Sequence, residues 1–165
     1  MQRSVGGSGS STSVIVLNRI DSRLIHGQVV EAWLPHLDVR RVVVADDATA
    51  TDSLAQVAFR LAVPPDVEVV TTPVGGVDYG ALSKDQVRTL VLFRDVQAAV
   101  AARAAGLPDG VLNVGNVHSG PGREALTRSV FLDDADRQAL SALKQGGMTV
   151  VVQAIPAEKP SPLPS

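Results

Sequence analysis

Short runs of β-branched and aliphatic residues recur along this chain, each followed by apolar positions at helical spacing. That alternation limits the fold more than any other feature. Strands are read at residues 14–18, 41–45, 67–71, 89–93, 111–114 and 148–155, with a short sixth strand at 129–132 in chain order before the last. Between them, Val29, Val30, Trp33 and Leu34 mark one helix stripe. Leu54, Val57, Ala58 and Leu61 mark a second, which stops before Pro64-Pro65, and Val96, Ala99 and Val100 begin another. Asp133 or Asp134 reads as the N-cap of a last helix whose Ala139, Leu140 and Leu143 face inward, with Gly146-Gly147 as its stop. Residues 78–83 are ambiguous between a short helix and a long loop. The pattern implies an α/β, three-layer architecture: a mainly parallel open sheet of about six or seven strands with helices on both faces.

The chain of 165 residues is long enough for one domain with a real core. With 45% hydrophobic but only 3% aromatic residues, Val, Ala and Leu must fill the interior, as suits helices on a parallel sheet. Residues 1–13 read as a flexible Ser/Gly leader, and residues 156–165, with four prolines, as an extended tail. The folded unit is therefore expected over residues 14–155. A net charge of −2 gives no global argument for nucleic acid or anionic membrane. The absence of cysteine excludes disulfides and thiolate metal sites. No signal-peptide core or bilayer-length apolar run is present, so a cytoplasmic protein is expected.

In such sheets ligands gather at the carboxyl ends of the strands. There, after the first strand, stands Arg19-Ile20-Asp21-Ser22-Arg23-Leu24-Ile25-His26-Gly27-Gln28-Val29. A neutral imidazole is a competent nucleophile near neutral pH. A phosphoryl group on His26 would need donors and positive charge nearby. Arg23 can offer a bidentate fork, and the amides opening the helix behind Gly27 can offer an anion seat. Asp21 could hold an arginine or fix the imidazole tautomer, and phosphoryl transfer asks chiefly for positioning and charge stabilisation. Taken alone, a histidine near two arginines is more often a surface residue, and Arg19 and Arg23 could equally be solvated, pairing weakly with Asp21 or Asp47.

The run from Arg19 to Val29 resembles the phosphorylation-site signature of the IIB component of the mannose/sorbose-type bacterial sugar phosphotransferase system. Leu112-Asn113-Val114-Gly115-Asn116-Val117-His118 resembles that family's Asn-Val-Gly segment, and Ser129-Val130-Phe131-Leu132-Asp133 precedes the last helix as in the family. The similarity spans nearly all of residues 14–155. It implies a cytoplasmic phosphocarrier, peripherally associated with a membrane permease. Such a protein takes a phosphoryl group from a histidine of the IIA component onto His26, at Nδ1, and passes it to a sugar bound by the membrane components IIC and IID. No cofactor or metal is implied. Phosphate binding is expected from Arg23, Gly27, Arg19 and Asp21, with Arg23 the best candidate for direct contact and Arg19 and Asp21 also ordering the loop. Arg94, Gly115 and Ser119 are weaker rim candidates, and ordinary loop chemistry is the favoured reading for Arg94. Ser22 stands where relatives often carry an acid. Some members are fused to IIA, for which this chain is too short, and a homo-oligomer stays open.

Because incomplete phosphotransferase sets exist, a regulatory module that docks partners according to its phosphorylation state is the alternative. Asp46-Asp47 after the second strand invites an aspartate-phosphorylated receiver reading, but caps on the following turn account for the pair more simply. The three histidines have no metal-binding spacing; His36 reads as a helix C-terminal dipole partner or exposed loop residue, and His118 could approach the site. The glycines of residues 115–122 fit no dinucleotide or P-loop spacing, and too few aromatics are present to stack on single-stranded nucleic acid.

Overall fold

The structure, a computed structural model, describes residues 14–165. The Ser/Gly leader read at residues 1–13 lies outside the described residues. The strands are β1 (Ile15–Asp21), β2 (Arg41–Ala45), β3 (Glu68–Thr72), β4 (Thr89–Phe93), β5 (Val111–Asn116), β6 (Glu124–Ala125), β7 (Phe131–Leu132), β8 (Thr149–Val152) and β9 (Ser161–Pro162). The α-helices are α1 (Leu34–His36), which continues a π-helical stretch Val29–Trp33, then α2 (Ser53–Ala62), α3 (Tyr79–Lys84), α4 (Val96–Ala104) and α5 (Asp134–Gln145). Seven strands form one sheet in the order β3-β2-β4-β1-β5-β8-β9, parallel throughout except for β9, while β6 and β7 pair as a separate small hairpin.

Why these runs become central strands follows from their two-sided apolarity. In β2 and β4, Val42, Val44, Leu90 and Leu92 turn to one face, and Val43, Ala45, Val91 and Phe93 turn to the other; all are buried. Trp33, Leu34 and Phe59 pack on the first of these faces, which brings the Val29–Trp33 stretch, α1 and α2 there. Tyr79, Ala99 and Leu140 pack on the second, beneath α3, α4 and α5. Four aspartates start the helices: the Asp52, Asp78, Asp95 and Asp133 side chains accept from the amides of Ala55, Ala81, Ala98 and Asp136. Asp133 and Asp136 complete a capping box, and the ambiguous residues 78–83 resolve into α3 because Asp78 caps it.

Two expectations change. Instead of extending away after residue 155, the proline-rich tail returns to the sheet: β9 pairs antiparallel with β8, and Leu163 is buried. Proline is tolerated there because β9 is the outermost strand, whose free edge needs no donor. The second concerns α2. Its Leu54, Val57, Ala58 and Leu61 stripe faces outward, and no residue of the helix is buried; Phe59 packs on the sheet's apolar layer, and Gln56 donates to the Thr49 and Ala50 carbonyls.

β1 occupies the middle of the sheet, between β4 and β5. Successive connections lead to β2 on one side of it and, after β4, to β5 on the other, so a topological switch point opens at the carboxyl end of β1. The His26 loop begins there.

Candidate functional site

The loop is fastened before its chemistry is considered. Asp21 ends β1, and its Oδ1 accepts the Arg23 amide at 3.0 Å while its carbonyl accepts the Leu24 amide, making a tight turn. Leu24 takes φ +58°, a left-handed conformation costly for a branched side chain, and is held there with its side chain buried in the apolar layer beside Ile25 and Val29. The neighbouring loop after β5 is tied on: the Asn116 carbonyl accepts from the Ser22 amide and hydroxyl, and the His118 amide donates to Ser22 Oγ. His118 thus meets the site through its backbone.

His26 emerges from this turn with its side chain 17% exposed and Nε2 2.9 Å from Asp21 Oδ2. A carboxylate only accepts, so in the neutral ring Nε2 carries the hydrogen and Nδ1 keeps the lone pair. Among the described residues nothing bonds to Nδ1. Arg23, three residues earlier, is exposed, and its guanidinium makes no bond to any described residue. A Cβ added at Gly27 would meet nothing within 4 Å, so the fold itself does not require glycine there. His26 also roots the following helix, its carbonyl accepting the Val30 amide; the wide π turns from Val29 to Trp33 bring Trp33 back beneath the loop.

Arg19 is placed for one of its two expected parts. It is fully buried and uses all five donors: Nε and Nη2 bond to Asp21 Oδ2 at 3.2 and 3.1 Å, and Nη1 bonds to Asn113 Oδ1 at 2.6 Å. The Gln153 and Ala154 carbonyls take the remaining two donors. Its Cζ lies over the Trp33 ring, 5.2 Å from the centroid. Burial pulls the guanidinium down from its ordinary value, and the Asp21 charge and hydrogen bond pull it back. With no donor left over, Arg19 cannot reach a phosphoryl group; ordering the loop through Asp21 is the part the geometry leaves it. Asp21, equally buried, acts as the acceptor joining Arg19, His26 and the Arg23 amide, and as an anion it offers nothing to phosphate directly.

Gly115 lies beneath the site and not on its rim. A Cβ there would fall 2.0 Å from Arg19 Cζ, so only glycine leaves room for the guanidinium. Ser119 is exposed and unbonded among the described residues, whereas Arg94 points to other work. Its Nε and Nη2 fork the Asp46 carboxylate at 2.9 and 2.8 Å, and Asp46 also caps Thr49 through that residue's amide and hydroxyl. Burial works to raise the Asp46 carboxyl, but the bonds from Arg94 and Thr49 outweigh it and hold it below the usual carboxylate range. Asp47 accepts the Val74 amide, so both acids of the pair are structural. His36 sits exposed in the last turn of α1, edge-on to Trp33.

Sequence reasoning missed Asn113, Trp33 and the Gln153 and Ala154 carbonyls as the frame of Arg19. The signal that could have found Asn113 is a polar side chain inside the apolar run Val111-Leu112-Asn113-Val114, where only a buried partner makes it tolerable.

Among the described residues no helix is long and apolar enough to cross a membrane. The profile of the family described as PTS system sorbose subfamily IIB component matches residues 15–165. The N-acetylgalactosamine-specific phosphotransferase enzyme IIB component 2 of Escherichia coli (strain K12) is 31% identical over 145 residues, covering 87% of this chain and 92% of that protein. The crystal structure of manxB from Thermoanaerobacter tengcongensis superposes with a TM-score of 0.81 at 31% identity, over 90% of this chain and 92% of that one. The mannose-specific EIIAB component of Escherichia coli (strain K12) is 28% identical over 144 residues, which are 86% of this chain and 45% of that protein. A mainly parallel sheet with the histidine loop at its switch point, matched by this family over nearly its whole length, places the chain in the sorbose subfamily of IIB components of the phosphotransferase system, a family of phosphotransferases in sugar transport.

Proposed function

We propose that the protein is a phosphocarrier in which His26 receives a phosphoryl group from a IIA histidine and delivers it to a sugar held by a IIC/IID permease. The observation that carries this reading is the Asp21–His26 contact, because it occupies Nε2 and leaves Nδ1 without a hydrogen bond among the described residues. In the first step the Nδ1 lone pair forms a P–N bond as the donor's P–N bond breaks. In the second, a sugar hydroxyl oxygen attacks phosphorus, the bond to Nδ1 breaks, and the hydroxyl proton leaves to solvent. As positive charge develops on the ring, Asp21 stabilises it through the Nε2 hydrogen bond, with Arg19 holding the carboxylate in place. Arg23, its guanidinium without a partner among the described residues, supplies a cationic fork for the phosphoryl oxygens, and the open space at Gly27 admits them. The name of the mannose-specific EIIAB relative, which joins IIA and IIB, supports IIA as the donor.

Incubation with the phosphorylated general carrier and a IIA protein should label the chain with acid-labile, base-stable phosphate, and His26→Ala should abolish it. Label that persists in that variant, or that is lost on Asp46→Asn instead, would overturn the assignment.

A further inference from the structure

Ala154, which follows β8, is gripped from three sides. Its carbonyl accepts from Arg19 Nη2 and from the indole N–H of Trp33, each at 3.0 Å, and its amide donates to Glu158 Oε2 at 3.3 Å. The neighbouring Gln153 carbonyl is shared in the same way, between Arg19 Nη1 and Asn113 Nδ2, both at 3.1 Å. Each carbonyl spends both lone pairs, one on Arg19 and one on a second donor that fixes its direction. Trp33 is buried and also lies against the Arg19 guanidinium, so one side chain touches both halves of the contact.

The peptide that carries these carbonyls is set by hydrogen bonds more than by packing. Residues 155–158 form a turn closed by the Glu158 amide on the Ile155 carbonyl, and the Gln153 side chain donates to the Glu158 carbonyl at 2.7 Å. One cleft, of about 320 Å³, is lined by the turn together with Ala32 and His36. Another, of about 350 Å³, is lined by the turn together with Gln28 and Ser129. With open space on both sides, packing alone leaves the turn free to slide. Beyond it β9 pairs with β8 and Leu163 is buried, so the turn is a strap tied at both ends. We infer that this strap positions the His26 imidazole, with Trp33 and Glu158 as positioning residues that hold Ala154 on Arg19. The line of contacts runs from Ala154 through Arg19 and Asp21 to Nε2 of His26. When the carbonyl slips, a buried guanidinium is left with an unmet donor; it turns to recover a partner and takes the Asp21 carboxylate with it. The inference deepens the reading of His26 as phosphoacceptor and rests on it for the rate test, though not for the spectroscopic one.

Isotopic labelling of the imidazole nitrogens in the full chain lets magnetic resonance report which ring nitrogen carries hydrogen; the His26 signals are those lost in His26→Ala. At about pH 9, above the ordinary imidazole range, the parent should carry hydrogen on Nε2 alone. Glu158→Ala and Trp33→Phe should draw the two nitrogen shifts together as the tautomers mix. Both should also slow phosphoryl uptake about threefold or more at saturating phosphorylated IIA, with less than about a twofold change in the half-saturating IIA concentration. Glu158 is exposed, so its variant should unfold at the parent's urea midpoint. Glu158→Gln keeps an oxygen for the Ala154 amide and should restore both readouts. Parental ring shifts, or uptake at the parent's rate, in both variants would overturn the inference, as would a Glu158→Gln chain as impaired as Glu158→Ala. Were the parent to take up no phosphate while the ring shifts still moved in both variants, the relay reading would fail and this positioning would stand.

Discussion

Two Arg–Asp pairs stand at the carboxyl edge of this sheet, built from the same groups and put to different use. Arg19 and Asp21 belong to one strand, two residues apart, with side chains wholly removed from solvent. Arg94 and Asp46 follow β4 and β2, are forked more symmetrically, and leave the arginine 40% exposed. This pair, with its arginine part-exposed and its aspartate buried, ends in a helical-turn cap. The buried one ends in an imidazole. Burial is what lets the first pair hold a ring at a fixed angle: every donor is committed, the dielectric is low, and the carboxylate has no water to turn toward. Pairing alone therefore does not make a site; what matters is which third group the carboxylate is left to hold.

The largest test of that contrast removes the arginines in turn. Arg19→Met should lower unfolding free energy in urea by about 3–5 kcal/mol, because Asp21 is left as an uncompensated buried charge. Arg94→Ala should cost no more than about 1 kcal/mol, since that pair is partly solvated. Equal losses would erase the distinction. Next, Gly115→Ala should destabilise by about 1–3 kcal/mol by displacing the Arg19 guanidinium, and should slow His26 phosphorylation in the same relay assay; a variant with unchanged stability would mean that Arg19 can move aside at little cost.

Smaller in stability but sharper in function is Arg23→Ala. Unfolding should stay within about 0.5 kcal/mol of the parent, while the rate of phosphoryl uptake falls about tenfold or more, or about 1.4 kcal/mol of barrier. The smallest effect is on pH dependence. Because Asp46 titrates below the usual carboxylate range when folded, it contributes stability above the unfolded value of about 3.9, and that contribution disappears as pH falls through the lower folded value. An Arg94→Ala chain should therefore show a flatter loss of stability below about pH 4 than the parent, measured by urea midpoints along the acid limb.

The sheet was readable because its inner strands are apolar on both faces, and residues 41–45 and 89–93 match β2 and β4 residue for residue. The histidine loop was readable because its members are contiguous. The destination of Arg19 was not, because its acceptors lie on β5 and after β8, more than ninety positions away, and no local pattern encodes such a meeting. The outward turn of α2 was hidden for a related reason: Leu54, Val57, Ala58 and Leu61 satisfy helical periodicity whichever way the helix is rotated, and only Phe59 and Gln56 decide it. The tail misled through its prolines, whose lack of donors matters little on the last strand of a sheet.

The frame around Arg19 draws on the first strand and on two carbonyls that follow β8, those of Gln153 and Ala154. During synthesis the N-terminal histidine loop leaves the ribosome long before those carbonyls exist. A nascent chain therefore has no means of aiming its imidazole until residues 153 and 154 have been made, and a chain stopped before them holds the ring unframed.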